Sequence, residues 1–177
     1  MGDLRTPLPV NVASADAGAA PLTIRGVPVE RRGSLAGVIE QSFRGIYRWH
    51  ASRTLQSVTH VRAASKGDDA IGLTMFTMLG PDTGYLYYVA VVPSRRQSGV
   101  GGALLDDALE ALRAQGALEV LACIRAENLP SIRLFASRGF RRTSFRERAR
   151  ERGVAGAAKL WRRMVVAPGE RVFRKVM

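Results

Sequence analysis

Short apolar runs and tight turns alternate along the first half of the chain, which is typical of β-strands with helices between them. The pattern predicts a strand at Leu22–Glu30 and then one helix from Ser34 to about Leu55, with Ser34 as its N-cap. Turn residues then separate three runs that are rich in β-branched, aromatic or other apolar residues. These runs predict an antiparallel meander, and they are Val58–Ala64, Ala70–Leu79 and Tyr85–Val92.

The apolar spacing changes to the helical period after this meander. Apolar residues from Val100 to Leu112 recur three and four positions apart and predict a helix. An apolar strand follows at Leu118–Ile124, and Asn128 is placed to cap a further helix. Because a helix between two strands implies a crossover, we expect the strands on either side to be parallel neighbours or near neighbours.

Two strands, Arg141–Phe145 and Arg171–Val176, are predicted near the C-terminus with a helix between them. The spacing of apolar residues predicts the buried face of this helix, which comprises Val154, Ala157, Ala158, Trp161 and Val165. Three roles stay open for it. It could pack on the domain, form a dimer contact or a basic lid over a substrate site, or bind an anionic membrane or nucleic-acid surface.

Length and composition fit a single globular domain, with 177 residues, 46% apolar and 24% charged. We predict a flexible leader at residues 1–20 and one domain at 21–177, whose part from 141 to 177 is basic and contains the extra helix. The sequence contains no apolar run of about 18 residues, which is the length that would predict a membrane-spanning helix. The first residues do not resemble a secretory signal. The single cysteine, Cys123, excludes a disulfide framework and a cysteine-based zinc site. We therefore expect a cytoplasmic protein that binds no metal.

The charge is unevenly distributed along the chain. Lys and Arg number 27 against 15 Asp and Glu, which gives a net charge of +12. Residues 141–177 hold twelve Lys and Arg against three Asp and Glu, so this part alone carries +9. The basic character therefore belongs to the C-terminal part.

The segment between Val92 and Leu105 joins the end of a predicted strand to the start of a predicted helix through a basic, glycine-rich loop. Gly99, Gly101 and Gly102 have no side chains, so backbone N–H groups can approach an anion closely. The helix N-terminus adds unpaired N–H groups and a partial positive charge. The loop therefore predicts a pyrophosphate site, although it matches neither a Walker loop nor a dinucleotide-binding fingerprint.

Two motifs in this order resemble the GNAT acetyltransferase superfamily. The family's acetyl-CoA motif, R/Q-x-x-G-x-G/A after a strand, is matched by Arg96 to Gly101. Its next motif, an Asn, a helix and Gly-Phe, is matched from Asn128 to Phe140, one helix and one strand further along. The resemblance implies an α/β (α+β) fold with a mixed, mostly antiparallel sheet, a β-meander, splayed central strands and flanking helices.

The resemblance also implies how acetyl-CoA would be held. Backbone groups of Ala90, Val91 and Val92 would bind the pantetheine arm, and an N–H near Val91 would donate to the thioester oxygen. Asn128 would bond the pantetheine arm as well as capping its helix. The remaining residues predicted to contact the cofactor are Arg96, Gln97, Ser98, Gly99, Val100, Gly101, Gly102, Ser131 and Phe135.

The chain departs from the family at both positions that commonly move protons. Where many members have a tyrosine that protonates the departing thiolate, this chain has Phe135, and where some have a glutamate base it has Cys123. We name Tyr88 and His50 as the candidate catalytic residues in their place. Weaker candidates for a catalytic role are Tyr85, Tyr87, His60, Glu127 and Cys123.

The resemblance implies an enzyme that transfers an acetyl group from acetyl-CoA to a primary amine by direct attack. Two alternatives stay open: an acyl-CoA-binding sensor without catalysis, and a basic protein that binds nucleic acid or membrane surfaces. The expected partners are acetyl-CoA and an amine acceptor that the sequence does not identify. A homodimer stays open, and neither nucleic acid nor membrane is expected as a partner of the enzyme.

Overall fold

The computed structural model describes residues 20–164 and 166–177, so the predicted leader lies outside the described residues except for Ala20. Its strands are β1 (Leu22–Gly26), β2 (His60–Lys66), β3 (Asp69–Met78), β4 (Thr83–Val91), β5 (Glu119–Arg125), β6 (Arg141–Thr143) and β7 (Glu170–Val176). Its α-helices are α1 (Ala36–Ser42), α2 (Gly45–Ser57), α3 (Val100–Ala114), α4 (Leu129–Ser137) and α5 (Phe145–Met164). Short 3₁₀ helices occupy Val29–Leu35 and Pro93–Arg95.

The seven strands form one sheet in the order β1-β2-β3-β4-β5-β7-β6. All neighbouring pairs are antiparallel except β4 and β5, which are parallel and are joined by the crossover through α3. This arrangement confirms the predicted mixed, mostly antiparallel sheet and its meander. The crossover helix α3 supplies fully buried leucines, among them Leu104, Leu105 and Leu112, which fix its position against β3 and β4.

The predicted single helix from Ser34 to Leu55 is wrong, because the chain breaks between α1 and α2. Phe43 and Arg44 are extended, and Gly45 follows with a φ of +54°. Ser34 does not cap the helix, since its hydroxyl donates to the carbonyl of Arg31 instead. The first strand is also shorter than predicted, because the 3₁₀ helix begins at Val29.

The predicted buried face of α5 is also partly wrong. Val154 and Ala158 are exposed, whereas Ala157, Leu160 and Met164 are buried; Val165, the last predicted member, lies outside the described residues. All of these described residues follow the kink at Gly153, where φ is 73° and ψ is 160°, so they belong to one helical segment. Its buried residues recur three and four positions apart, so the face turned to the protein includes Leu160 and Met164 and excludes Ala158. The preceding strand ends at Thr143 rather than Phe145, because α5 begins at Phe145.

None of the helices in the described part of the chain combines the length and the apolar character needed to cross a membrane.

Candidate functional site

The two central strands pair at one end and separate at the other. The parallel pairing joins Thr83–Leu86 of β4 to Glu119–Ala122 of β5, and we call this part the closed end. Beyond it, Tyr87–Val91 and Cys123–Arg125 are not paired with each other, and we call this part the open end. A β-bulge at Tyr87, where the β3–β4 register shifts, coincides with the point of separation. Since bulges bend a strand and increase its twist, the bulge accounts for the divergence.

Separation from β5 leaves one edge of β4 without a β-strand partner. The N–H of Val92 donates to the carbonyl of Ile71, so the alternation of an antiparallel ladder turns Val92 and Ala90 toward β3. The same alternation turns Val91 and Val89 toward the open end. Of the three residues predicted to bind the pantetheine arm through backbone groups, only Val91 therefore turns those groups toward the gap between β4 and β5. Val89, which was not predicted, does so as well.

The segment Arg96–Gly102, which we call the phosphate loop, follows β4 and leads into α3. Gln97 has a φ of 62° and Gly99 a φ of 82°, and these turns bring several N–H groups to one side of the backbone. Within residues 20–164 and 166–177, no acceptor lies within hydrogen-bond range of the N–H groups of Gln97 through Gly102. Six consecutive donors at a helix N-terminus form a site for an anion.

The predicted residues on α4 lie on the far side of the open end. Asn128 caps α4 as expected, since its side chain accepts a hydrogen bond of 3.2 Å from the N–H of Ser131. A methyl group at Gly101 would contact both Leu134 and Val91, at 3.5 and 3.7 Å, so the loop, α4 and β4 meet there. The loop residues are thus placed beside the residues predicted to bind the pantetheine arm.

A cavity of about 680 Å³ occupies the open end. Asn128, Ser131 and Phe135 line it from α4, and Cys123 lines it from β5. Tyr85, Tyr87 and Tyr88 line it from β4, and the break between α1 and α2 covers it. This volume is typical of a small-molecule site. The phosphate loop does not line the cavity and lies at its border.

The two candidate catalytic residues are in direct contact. His50 Nδ1 lies 2.7 Å from the hydroxyl oxygen of Tyr88, and the Thr54 hydroxyl lies 3.3 Å from the same nitrogen. The ring of Phe43 packs edge-on against Tyr88 at 5.0 Å. His50 also borders a second cavity of about 430 Å³, which opens beside Trp49 and Arg53. The imidazole therefore connects the hydroxyl in the main cavity to this second opening.

Burial disfavours the charged forms of the side chains around the cavity. It raises the pKa of Tyr88, with smaller contributions from the charges of Glu170 and Tyr47. It also raises the pKa of the Cys123 thiol to about 11. A thiol that holds its proton at neutral pH is a poor nucleophile, which argues against a covalent role for Cys123.

The other weak candidates are placed elsewhere or occupied by structural contacts. His60 stacks on Phe76 and its Nε2 lies 3.0 Å from the side-chain oxygen of Gln115, away from the cavity. Glu127 forms an ion pair with Arg125. Tyr85 donates to the carbonyl of Met164 at 3.0 Å and thereby anchors the end of α5.

Sequence reasoning missed two residues of the cavity wall, Tyr47 and Glu170. The Tyr47 hydroxyl lies 3.3 Å from Glu170 Oε1, across 123 positions of the chain. Tyr47 falls inside the single helix that was predicted from Ser34 to Leu55, and no local pattern marked Glu170. Only the register between β5 and β7, which places Glu170 opposite Arg125, brings this carboxylate to the open end.

Comparisons with family models and with solved structures agree on the family to which the chain is similar. The family model for the acetyltransferase (GNAT) family matches residues 30–140. No curated protein sequence matches the chain. A GNAT-family protein from Desulfovibrio desulfuricans superposes with a TM-score of 0.68 at 19% identity, covering 88% of this chain and 99% of that one.

Two further similar structures contain a ligand. PaiA N-acetyltransferase from Thermoplasma acidophilum, in complex with coenzyme A, has a TM-score of 0.67 at 13% identity and covers 89% of this chain and 99% of its own. A GNAT-family acetyltransferase from Elizabethkingia anophelis with acetyl-CoA bound has a TM-score of 0.62 at 15% identity and covers 88% and 98%. These likenesses show a common fold. The family match spans more than half of the chain, and the protein belongs to the GNAT family of acetyltransferases.

Proposed function

We propose that this protein is an acetyl-CoA-dependent N-acetyltransferase whose acceptor is a primary amine. The observation that carries the proposal is the open end of β4 and β5 beside a loop with six N–H groups that have no partner among the described residues. An extended thioester arm needs an unpaired strand edge, and its pyrophosphate needs donors at the end of that edge. The presence of CoA or acetyl-CoA in two similar structures supports the same assignment.

The phosphate loop would hold the pyrophosphate through backbone donors of Gln97 to Gly102. The N–H and C=O groups of Val89 and Val91 would then pair with the amides of the pantetheine arm as an added strand would. One of these N–H groups would also stabilise the oxyanion that forms when the thioester carbonyl is attacked. Arg96 contributes by donating from Nε to the carbonyl of Val91 at 3.2 Å, which fixes the loop against β4.

The reaction is direct attack of a neutral amine on the thioester carbon. A C–N bond forms, the C–S bond breaks, CoA leaves as a thiolate, and the attacking nitrogen loses one proton. We assign that proton to the Tyr88 hydroxyl, which passes its own proton to Nδ1 of His50, 2.7 Å away. Because burial disfavours the Tyr88 phenolate, the two transfers occur together, and the imidazolium releases its proton toward the second cavity.

The proposal is tested by measuring acetyl-CoA-dependent thiol release with a panel of primary amines, alongside acetyl-CoA binding by calorimetry. We expect stoichiometric binding and amine-dependent release of CoA. Binding without release for any amine, peptide or small-molecule acceptor would instead support the acyl-CoA sensor, which Phe135 favours because it offers no proton to the thiolate. Absence of binding would refute both.

A further inference from the structure

The wall of the main cavity contains a single carboxylate among the described residues, that of Glu170. It belongs to the first residue of β7, which lies opposite Arg125 of β5. The chain as a whole has a net charge of +12. A half-buried carboxylate is therefore unusual in this protein. The groups that contact this carboxylate determine which ligands it can bind.

Two hydrogen bonds fix the Glu170 carboxylate without neutralising it. Oε1 accepts from the hydroxyl of Tyr47, and Oε2 accepts from the N–H of Ala167 at 3.0 Å. Within the described ranges, no Lys or Arg lies within ion-pair distance of Glu170. Its cross-strand neighbour Arg125 pairs with Glu127 and packs over the ring of Tyr47 instead, 5.3 Å from the centroid.

The negative charge of Glu170 acts on the middle of the cavity. After burial, it contributes to the raised pKa of Tyr88 and Cys123, which also line the cavity. Arg44 and Arg125 line the cavity too, but Arg125 is paired with Glu127, so the carboxylate of Glu170 favours a cation at its own position. It disfavours an acceptor that carries a carboxylate near its amine.

Apart from Arg125, the wall near Glu170 is mainly apolar and aromatic. Phe43, Ile46, Tyr87, Met164 and Pro168 contribute to it. Aromatic faces attract ammonium groups and pack against apolar bodies. Since the acyl end of acetyl-CoA would share the 680 Å³, the space left suits a small acceptor.

Tyr47 and His50 lie one turn apart on α2, so they project from the same side of the helix. An ammonium held by Glu170 beside Tyr47 would thus lie next to the Tyr88–His50 pair. This pair would take one proton from the ammonium and release it toward the second cavity, which leaves the neutral amine that attacks, and would then take the second proton after the attack. We propose that Glu170 and Tyr47 form the binding site for the acceptor's ammonium group, and that the acceptor is a small monocationic amine with an apolar or aromatic body. This inference rests on the proposed function, because it concerns the acceptor of the same reaction.

The test compares 2-phenylethylamine with phenylalanine, which differs from it by one carboxylate next to the amine. Thiol release is measured with wild type, Glu170→Gln and the matched control Glu110→Gln on the exposed side of α3. The amide of Glu170→Gln keeps one oxygen that can accept from the N–H of Ala167, and its NH2 group can donate to the hydroxyl oxygen of Tyr47. The melting temperature of this variant is measured to verify folding. In parallel, binding of 2-phenylethylamine to each CoA-saturated protein is measured by calorimetry.

We expect wild type to prefer 2-phenylethylamine over phenylalanine. In Glu170→Gln, the KM for 2-phenylethylamine should rise at least about tenfold, as expected for loss of a charge-assisted contact, while the KM for acetyl-CoA stays unchanged. Glu110→Gln should behave as wild type. Turnover of 2-phenylethylamine that does not depend on Glu170, or equal use of both amines, would overturn the inference and leave the proposed function intact.

If no turnover is observed, the calorimetric measurement distinguishes the proposed function from the proposed ammonium site. Binding of 2-phenylethylamine that is lost in Glu170→Gln, without thiol release by wild type, would contradict the proposed function and support the ammonium site. No binding of 2-phenylethylamine to the folded wild type would overturn the inference.

Discussion

The closed and open ends of the β4–β5 pair differ in how their polar groups are satisfied. At the closed end, the carboxylate of Glu119 is 2% exposed. It accepts hydrogen bonds from Arg148, Arg174 and Thr83 and forms an ion pair with Arg152. At the open end, the N–H groups of Val89 and Val91 and those of Gln97 through Gly102 lack partners among the described residues. The polar groups of the closed end are therefore bonded within the protein, whereas those of the open end can bind a ligand.

The difference shows what holds the open end apart. The ion cluster at the closed end, which comprises Asp82, Glu119, Arg148, Glu151, Arg152 and Arg174, ties α5 and β7 to the base of the central strands. Its three guanidinium and three carboxylate groups balance in charge. Because the closed end is fixed, the bulge at Tyr87 can bend β4 away from β5 without breaking the pairing of these strands at the closed end. The stability of the protein and its binding capacity are therefore located at opposite ends of the same two strands.

The largest effect is expected at the closed end. Glu119→Gln removes the charge that faces three guanidinium groups, one of which, Arg148, is fully buried. We expect the free energy of unfolding to fall by about 3–5 kcal/mol, the range for breaking a buried ion pair. Urea denaturation measures it, with Glu110→Gln on the exposed side of α3 as the control. Equal stability of the two variants would show that the ion cluster does not hold this end together.

At the open end, the proton-transfer pair is expected to affect the rate and not the fold. Tyr88→Phe or His50→Gln removes one partner of the 2.7 Å contact. We expect kcat to fall at least about 100-fold, the lower range for loss of a general base, with an unchanged melting temperature. His60→Gln is the matched histidine control because His60 lies outside the cavity. Wild-type kcat in both variants would remove the pair from the mechanism.

The phosphate loop offers a comparison of two glycines. Gly99 has a φ of 82°, where a side chain is strained whatever the space, whereas a methyl group at Gly101 makes only ordinary contacts. We expect Gly99→Ala to lower the free energy of unfolding by about 1–2 kcal/mol and to weaken acetyl-CoA binding. Gly101→Ala should be nearly neutral in stability. A reversed order in denaturation experiments would contradict the loop geometry.

The smallest effect is expected for Cys123, although it lines the cavity. Its pKa of about 11 keeps the thiol protonated at pH 8, so alkylation by iodoacetamide should be slow there and should accelerate only as the pH approaches that value. Incubation with acetyl-CoA alone should leave the intact mass unchanged, and Cys123→Ala should retain turnover. Acetylation of Cys123 on the reaction path would show a covalent mechanism instead of direct attack.

The sequence predicted the parts of the fold in which local pattern and tertiary structure agree. The meander, α3 and the cap of α4 by Asn128 follow from alternation, helical spacing and a capping residue. The break at Phe43 and Arg44 could not be predicted, since the apolar spacing continues through it. In α5, the buried face includes Leu160 and Met164 in place of Val154 and Ala158, which the apolar spacing alone did not distinguish.

The residues of the candidate site also fall into two groups, those that a local sequence pattern predicted and those that it did not. The phosphate loop and the α4 residues belong to contiguous motifs, so the sequence alone located them. Glu170 and Tyr47 are brought together by strand order and by the break before α2, which no local pattern encodes. The selection of Val89 and Val91 over Ala90 depends on ladder register, which is a property of the paired strands.

The central claim is that acetyl-CoA binds at the open end through backbone donors. Backbone amide resonances of the protein, followed by ¹H–¹⁵N NMR during an acetyl-CoA titration, test it directly. Saturable shifts should appear for Val89, Val91, Gly99, Gly101 and Gly102, whereas the amides of Thr83 and Glu119 at the closed end should stay in place. Shifts confined to the closed end or to α5, or no saturable shift at all, would contradict the account.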